Sequence, residues 1–138
     1  MNRILTWHQK EAVGNETRIG PTYYIEADYI KVAVRIYVVT APTRDAKIDI
    51  FDDGVSIFNS RRYDSIDLTS GIRTVFTNET SVILVKGENA DEIADDFSTK
   101  SIEEGSWVYC NLVDAGGGKD FTVQLELHQV SEDDEVDD

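Results

Sequence analysis

The sequence has 138 residues and a formal net charge of −14 at pH 7, which fits one domain of common size. A strongly acidic surface repels nucleic acid and anionic lipid, so the composition argues against DNA, RNA and membrane partners. No run of about eighteen apolar residues is present, and the first residues lack the apolar stretch of a signal peptide. The single cysteine, Cys110, excludes an intrachain disulfide and indicates synthesis in a reducing compartment.

The first clear strand signal lies in residues 30–39 (IKVAVRIYVV), where apolar and polar positions alternate over a stretch rich in β-branched residues. The alternation places four residues on the predicted inner face: Val32, Val34, Ile36 and Val38. The other face is expected to carry Lys31, Ala33, Arg35, Tyr37 and Val39. Pro42 ends the strand because it cannot donate to the hydrogen-bond ladder.

A β-hairpin is predicted next, with strands at residues 47–51 and 55–58. Asp53 and Gly54 lie between two alternating apolar runs, and both residue types tolerate the positive φ that tight hairpin turns require. Residues 59–74 are expected to form a long polar excursion that returns Ile66 and Leu68 to the core. Residues 80–85 (TSVILV) predict a further strand.

Two strong strand signals close the pattern, at residues 107–113 and 121–127. They flank a loop of three glycines at residues 116–118, so we expect them to pair as a hairpin. Cys110 would then face away from Trp107 and Tyr109, and Trp107 is expected to pack at one end of the core.

Residues 88–97 (ENADEIADDF) are the one candidate helix, with Asn89 as its N-cap, and the alternative is an acidic loop. The remaining elements are strands at short spacing without a βαβ alternation. This pattern predicts an all-β fold, an antiparallel, jelly-roll-like β-sandwich with at most one short helix. We expect one domain over residues 1–130 and an acidic tail over residues 131–138.

No catalytic residue, cofactor site or metal site is predicted, and we expect the protein not to be an enzyme. His8 and His128 could meet if the terminal strands pair, but neither has a nearby acid and nucleophile. The string GGGKD is no phosphate loop, since Val113 stands where a glycine is needed and Asp120 where a hydroxyl is needed. A denser acidic cluster predicts a solvated loop, with a Ca²⁺ site as the alternative. Its members are Asp91, Glu92, Asp95 and Asp96, with Glu103 and Glu104 nearby in sequence.

Aromatic and charged residues are the candidate contacts with a partner. An extended Tyr23-Tyr24 segment points one ring to each side, so one of the two is expected outside. The cluster Arg61-Arg62-Tyr63 indicates either a solvated loop or a contact with an acidic neighbour. Six of the last eight residues are acidic, and we expect this tail to bind basic groups of a neighbouring subunit. The predicted partner contacts are therefore Tyr23, Tyr24, Arg61, Arg62, Tyr63, Asp133, Asp134 and Glu135.

Two stretches resemble a β-sandwich module that recurs in virion proteins of tailed bacteriophages. In residues 30–59 a strand ending in T-A-P leads into the hairpin pattern D-I-x-x-x-G-x-S-I-F. In residues 97–127 an I-x-x-G strand start precedes a glycine loop and the closing strand D-F-T-V-Q-L-E. Ser106 stands where the module has aspartate, and residues 59–96 have no counterpart. The resemblance covers less than half of the chain.

The resemblance implies a non-enzymatic structural protein on the capsid surface of a virion, of the decoration, cement or minor head protein type. It further implies a homo-oligomer that binds other virion proteins, either the major capsid protein or tail proteins. The alternative is a tail-attached module that binds a receptor or a carbohydrate through exposed tyrosine or tryptophan.

Overall fold

The computed structural model describes the backbone of residues 2–10, 17–59, 61–66 and 73–130, and the side chains of these residues except 17, 61–66 and 73–79. This part contains strands and no helix. In chain order the strands are β1 (Asn2–Gln9), β2 (Thr17–Tyr24), β3 (Tyr29–Thr40), β4 (Ala46–Asp52), β5 (Val55–Ser56), β6 (Arg61–Ile66), β7 (Arg73–Glu79), β8 (Val82–Leu84), β9 (Ala90–Ile93), β10 (Ser101–Ile102), β11 (Trp107–Asp114) and β12 (Lys119–Gln129).

Two antiparallel sheets of five strands pack face to face, which confirms the predicted β-sandwich. In sheet I, β12 lies between β1 and β3, and β9 and β10 pair with the other side of β3. In sheet II, β11 lies between β2 and β4, and β5 and β8 pair with the other side of β4. Alternate residues of both sheets point inward and form one hydrophobic core.

Strands β6 and β7 pair antiparallel and form a separate two-stranded sheet. The predicted loop at Arg61, Arg62 and Tyr63 is therefore wrong, because these residues pair along β6 with residues 77–79 of β7. Leu68 lies outside the described residues, as does the acidic tail with Asp133, Asp134 and Glu135, so the expected contacts of these residues stay predictions.

Strand β3 contains a β-bulge at Val32. Leu127 of β12 pairs with Lys31 and Glu126 pairs with Ala33, so Val32 has no partner on β12. One extra residue reverses the alternation of faces, and Lys31 is 6% exposed whereas Val32 is 36% exposed. The predicted positions of these two residues are wrong for this reason. The remaining inner positions are buried as predicted: Val34, Ile36 and Val38.

The buried ammonium group of Lys31 is fully engaged by hydrogen bonds. Its Nζ donates to the carbonyl oxygens of Thr99 at 2.9 Å and Ser101 at 2.7 Å, and to Thr99 Oγ1 at 3.1 Å. Burial of an unpaired ammonium would cost several kcal/mol. The segment that leads into and begins β10 supplies the acceptors that the bulge makes necessary.

The core tryptophan is Trp7 of β1, not Trp107. Trp7 is completely buried, its Nε1 donates to the carbonyl oxygen of Pro21 at 2.7 Å, and its ring meets the Tyr23 ring edge-on. Trp107 is 52% exposed because the alternation of β11 sends Val108 and Cys110 inward instead. The prediction for Trp107 is therefore wrong, whereas the expected orientation of Cys110 is confirmed.

Strands β11 and β12 lie in different sheets, so the predicted closing hairpin is wrong. The glycine loop instead crosses from one sheet to the other and packs against residues 43–45. The amide groups of Thr43 and Arg44 both donate to the carbonyl oxygen of Gly116, at 2.9 and 3.1 Å. Gly116 has a φ of 60°, and a Cβ there would lie 2.3 Å from the carbonyl oxygen of Arg44. The crossing therefore depends on this glycine.

The predicted helix at residues 88–97 is wrong, because residues 90–93 form an edge strand, β9, which Asn89 precedes. The side-chain Nδ2 of Asn89 donates to the carbonyl oxygens of Val38 at 2.8 Å and Val39 at 3.2 Å, so this residue extends the pairing of β3 instead of capping a helix.

We expect Gly116→Ala to destabilise the protein much more than Gly54→Ala. Both glycines have positive φ, 60° and 86°, but no atom lies within 4 Å of the added Cβ at Gly54. Gly54→Ala should cost about 1 kcal/mol for backbone strain alone, whereas Gly116→Ala should cost about 3 kcal/mol or more because the Cβ meets backbone. Urea unfolding of both variants measures the difference, and equal losses would refute the packed crossing.

Candidate functional site

A groove of about 610 Å³ lies on the outer face of sheet I. Residues of β3, β9 and β12 line it: Arg35, Ile36, Tyr37, Ala90, Asp91, Glu92, Thr122 and Gln124. The bulge at Val32 sets the orientation of Arg35 and Tyr37, since downstream of it Val34, Ile36 and Val38 face the core and the residues between them face outward.

Cross-strand register arranges the outward side chains of this face in two rows perpendicular to the strands. One row is His8, Thr122, Tyr37 and Ala90, and the other is Thr6, Gln124, Arg35 and Glu92. Neighbouring strands are about 4.8 Å apart, so a row over four strands spans roughly 14 Å. The outer face of sheet I thus offers two parallel lines of contacts, and the groove contains the members of both rows on β12, β3 and β9.

Arg35 is fixed at the groove by two carboxylates. Its Nε lies 2.7 Å from Glu92 Oε2 on β9, and an Nη lies 2.8 Å from Glu126 Oε1 on β12. The hydrogen bond to Glu126, followed by that to Glu92, raises the pKa of Arg35 above its usual value. One guanidinium thus bridges three adjacent strands and holds a planar polar surface beside Tyr37.

Tyr37 is the exposed aromatic residue of the groove. Its side chain is 53% exposed, and its cross-strand neighbours, Thr122 and Ala90, are too small to cover the ring. An aromatic ring presents an apolar face and, in tyrosine, a polar tip. This position combines a stacking surface with nearby hydrogen-bonding groups.

A second exposed aromatic surface lies on sheet II. Tyr24 and Trp107 are 47% and 52% exposed, and their rings meet with centroids 5.0 Å apart. Tyr23 faces the other way and donates its hydroxyl to the carbonyl oxygen of Thr6 at 2.7 Å. One tyrosine of the pair therefore lies outside, as the extended geometry predicts, while a partner contact at Tyr24 stays a prediction. We call Tyr24 and Trp107 the aromatic pair.

The two histidines do not meet. The terminal strands β1 and β12 do pair, but the antiparallel register places His8 opposite Thr122 and His128 opposite Asn2. They are six positions apart along the pair, roughly 20 Å. His8 contacts Asp120 at 3.1 Å and Thr122 Oγ1 at 3.1 Å, so it is held in a surface network.

No group of three or more histidine, cysteine or acidic side chains that could hold a metal ion occurs in the described part of the chain. Asp91 and Glu92 belong to strand β9 and not to the predicted acidic loop. Within the same part of the chain, no helix is long and apolar enough to cross a membrane.

A smaller pocket of about 350 Å³ lies at one end of the sandwich and is lined by Asp52, Asp53, Val55, Thr99, Ser101, Glu103 and Ser106. Asp52 Oδ1 is buried, and no hydrogen-bond partner for it occurs among the described residues. Desolvation raises the pKa of Asp52, although a hydrogen bond with Ser106 opposes this effect. Ionisation of Asp52 therefore lowers the stability of the folded state.

From the sequence, Arg35 and Tyr37 are predicted only as residues of an outer face, and Thr122 and Gln124 are not predicted as site residues. The apolar–polar alternation of β12 points Thr122 and Gln124 outward, and this alternation is the signal in the sequence that could have identified them. Their assembly into one groove depends on the pairing of β3 with β12 and β9, which local patterns do not specify.

No family model matches the chain, and no curated protein matches it. Among solved structures, the chain is similar to the Podospora anserina GH26-CBM35 β-(1,4)-mannanase, with 8% identity and a TM-score of 0.44 over 95% of this chain and 28% of that chain. It is also similar to the CBM36-1 domain of a multidomain xylanase from the hindgut metagenome of Trinervitermes trinervoides. The identity is 9% and the TM-score is 0.45, and the match covers 94% of this chain and 99% of that chain.

A third similar structure is the catalytic domain of a GH87 α-1,3-glucanase in complex with nigerose, with 13% identity, a TM-score of 0.40 and coverage of 99% of this chain and 27% of that chain. The chain thus spans only about a quarter of the mannanase and glucanase chains. Because the TM-scores are below 0.5, these likenesses do not indicate a function. The function proposed below therefore rests on the side chains of this protein.

We expect Asp52→Asn to stabilise the protein at neutral pH and to have little effect in acid. The folded-state pKa of Asp52 is raised, so stability is lost as the pH rises from the unfolded pKa of about 3.9 through the folded-state pKa, and this cost is absent below the unfolded pKa. Urea midpoints from about pH 3 to pH 7 should diverge as the pH rises. Asp53→Asn, at the neighbouring turn residue, is the matched control, and a pH-independent difference for Asp52→Asn would contradict this account.

Proposed function

We propose that the protein is a non-catalytic binding module that attaches to a carbohydrate chain through the groove of sheet I. The observation that carries the proposal is the exposed Tyr37 ring with Arg35, Thr122 and Gln124 beside it. A sugar ring packs its C–H face on an aromatic ring, and its hydroxyl groups need hydrogen-bond partners nearby. The groove supplies both kinds of contact on one surface.

The rigidity of the groove supports the proposal. Each lining residue belongs to a paired strand, and Arg35 is held by two carboxylates before any ligand binds. Binding to a preorganised surface loses little side-chain entropy, and this loss is a main cost of association. The two rows of contacts run across several strands, which suits an extended chain more than a single small molecule.

We expect Tyr37→Ala to weaken glycan binding about tenfold or more, because a stacked ring contributes on the order of 1.5 kcal/mol. Calorimetric titration with the best ligand from a glycan panel measures the effect. Trp107→Ala is the matched control, since it removes an exposed aromatic residue on the other sheet. If no glycan binds, or if Tyr37→Ala and Trp107→Ala weaken binding equally, the groove is not the binding site.

We also propose a structural role in a phage particle, as a capsid-surface protein bound to other virion proteins. It is supported by the resemblance of residues 30–59 and 97–127 and by the aromatic pair on sheet II. Tryptophan and tyrosine are enriched among the residues that dominate protein interfaces. The aromatic pair and the groove belong to different sheets, so one module can carry both functions.

Trp107→Ala and deletion of residues 131–138 should each reduce retention of the protein on particles, whereas Tyr37→Ala should not. The first removes an interface aromatic residue and the second removes six acidic side chains, whose contacts weaken as salt rises. Co-sedimentation with particles measures retention, and the melting temperature of the free domain should stay nearly unchanged on deletion. Unfolding of the free domain on deletion, or full retention of both variants, would contradict the role.

A further inference from the structure

The end of the sandwich at which β1 and β3 finish carries most of the lysines of the protein. Lys10 follows β1, and its carbonyl oxygen accepts the backbone amide of Asp120 at 2.7 Å. Lys119 begins β12 opposite Thr40, the last residue of β3. Lys86 lies in the loop after β8 and contacts the connection between β3 and β4. We call this surface, with Lys10, Lys86 and Lys119, the lysine end.

The lysine end differs in charge from the rest of the molecule. Its described charged residues comprise five basic and four acidic groups, a formal net charge of +1, whereas the whole chain has −14. The nine residues are Lys10, Arg44, Asp45, Lys47, Lys86, Glu88, Asp114, Lys119 and Asp120. Arg44 is paired with Asp114 at 3.1 Å, but Lys10, Lys86 and Lys119 are exposed and form no ion pair within the described part of the chain. Three ammonium groups are thus open to a negatively charged partner.

The opposite end of the sandwich, where β12 finishes, is acidic. Val130 donates its backbone amide to the carbonyl oxygen of Asp28 at 3.0 Å, and Asp28 Oδ1 accepts the amide of Glu104 at 2.9 Å. Three further carboxylates line the smaller pocket at this end. Two of its three basic groups, Arg3 and Lys31, are already engaged. The acidic tail therefore begins beside carboxylates of its own sign, which repel it.

The acidic tail is too short to cover the lysine end of its own molecule. Ten residue steps separate Gln129 from Lys119 along β12, which is roughly 33 Å. The eight residues 131–138 span at most about 29 Å when fully extended. At most the last carboxylate of the tail would approach a lysine of the same chain. A contact between the tail as a whole and a lysine end must therefore join two molecules.

The structural role proposed above includes a tail that binds a neighbour, and on that basis we infer that the acidic tail of one copy binds the lysine end of a second copy. Carboxylates of the tail pair with the ammonium groups of Lys10, Lys86 and Lys119. The contact joins two different surfaces, so each copy in a pair still has one partner surface free. Contacts of this heterologous kind build rings or open chains of subunits instead of closed two-fold dimers. The groove of sheet I takes no part in it.

Sedimentation velocity of the free protein tests the contact. The wild type should self-associate in about 20 mM sodium chloride and become monomeric in about 300 mM, because exposed ion pairs are screened by salt. Deletion of residues 131–138 and the triple variant Lys10→Gln, Lys86→Gln, Lys119→Gln should each weaken association about tenfold or more, since several ion pairs are lost together. Lys100→Gln is the control, because Lys100 is exposed next to Lys31 at the opposite end, and it should associate as the wild type does.

A mixing experiment distinguishes this contact from one between identical surfaces. The deletion variant keeps its lysine end and the triple lysine variant keeps its tail, so an equimolar mixture should form a one-to-one complex although neither variant associates alone. A variant that carries both changes should bind neither of them through this contact. Should the deletion unfold the domain, the full chain with Asp133→Asn, Asp134→Asn and Glu135→Gln takes its place.

A wild type that stays monomeric at low salt and millimolar concentration would overturn the inference. So would undiminished association of the triple lysine variant, or a mixture that does not associate. If the free protein is monomeric but retention on particles still needs the tail, the contact between copies is refuted and the structural role stands, with another virion protein as the neighbour. Tail-dependent association of the free protein without retention on particles supports the contact between copies and refutes the structural role.

Discussion

The β-bulge at Val32 is the constraint on which the groove depends. Strand β3 is long and lies between β12 on one side and β9 and β10 on the other, so a change in its phase affects most of sheet I. Upstream of the bulge Lys31 faces inward, and downstream of it Arg35 and Tyr37 face outward. A strand without the extra residue could not bury the upstream residues and keep the downstream pair on the surface, because its faces would alternate without interruption.

Burial of Lys31 follows directly from this bulge and determines the structure next to it. The ammonium group needs acceptors, and the carbonyl oxygens of Thr99 and Ser101 provide them. The same segment leads into β10, which extends the β3 edge beyond β9. A backbone irregularity in the middle of one strand is thus coupled to the course of a segment about seventy residues later. Such coupling through one charged group makes the register of the edge specific.

The sequence predicted the class of fold and six of the twelve strands described, because period-two alternation is a local property. It placed the Asp53-Gly54 turn correctly for the same reason, and both residues have positive φ, 49° and 86°. It failed for Val32 and Lys31 because a bulge depends on the partner strand. It failed for the connection between β11 and β12 because a glycine-rich loop can close a hairpin or cross between sheets. Local sequence patterns could not predict the groove, because it forms only where three paired strands lie side by side.

The separation of the groove from the core has an evolutionary consequence. Tyr37, Thr122 and Gln124 point away from the buried side chains of their own strands, so substitutions there leave the packing of the sandwich intact. Surface changes of this kind usually alter stability by less than about 0.5 kcal/mol. Lineages can therefore exchange these side chains freely, and the lining of the groove can change in shape and charge without a prior gain in stability.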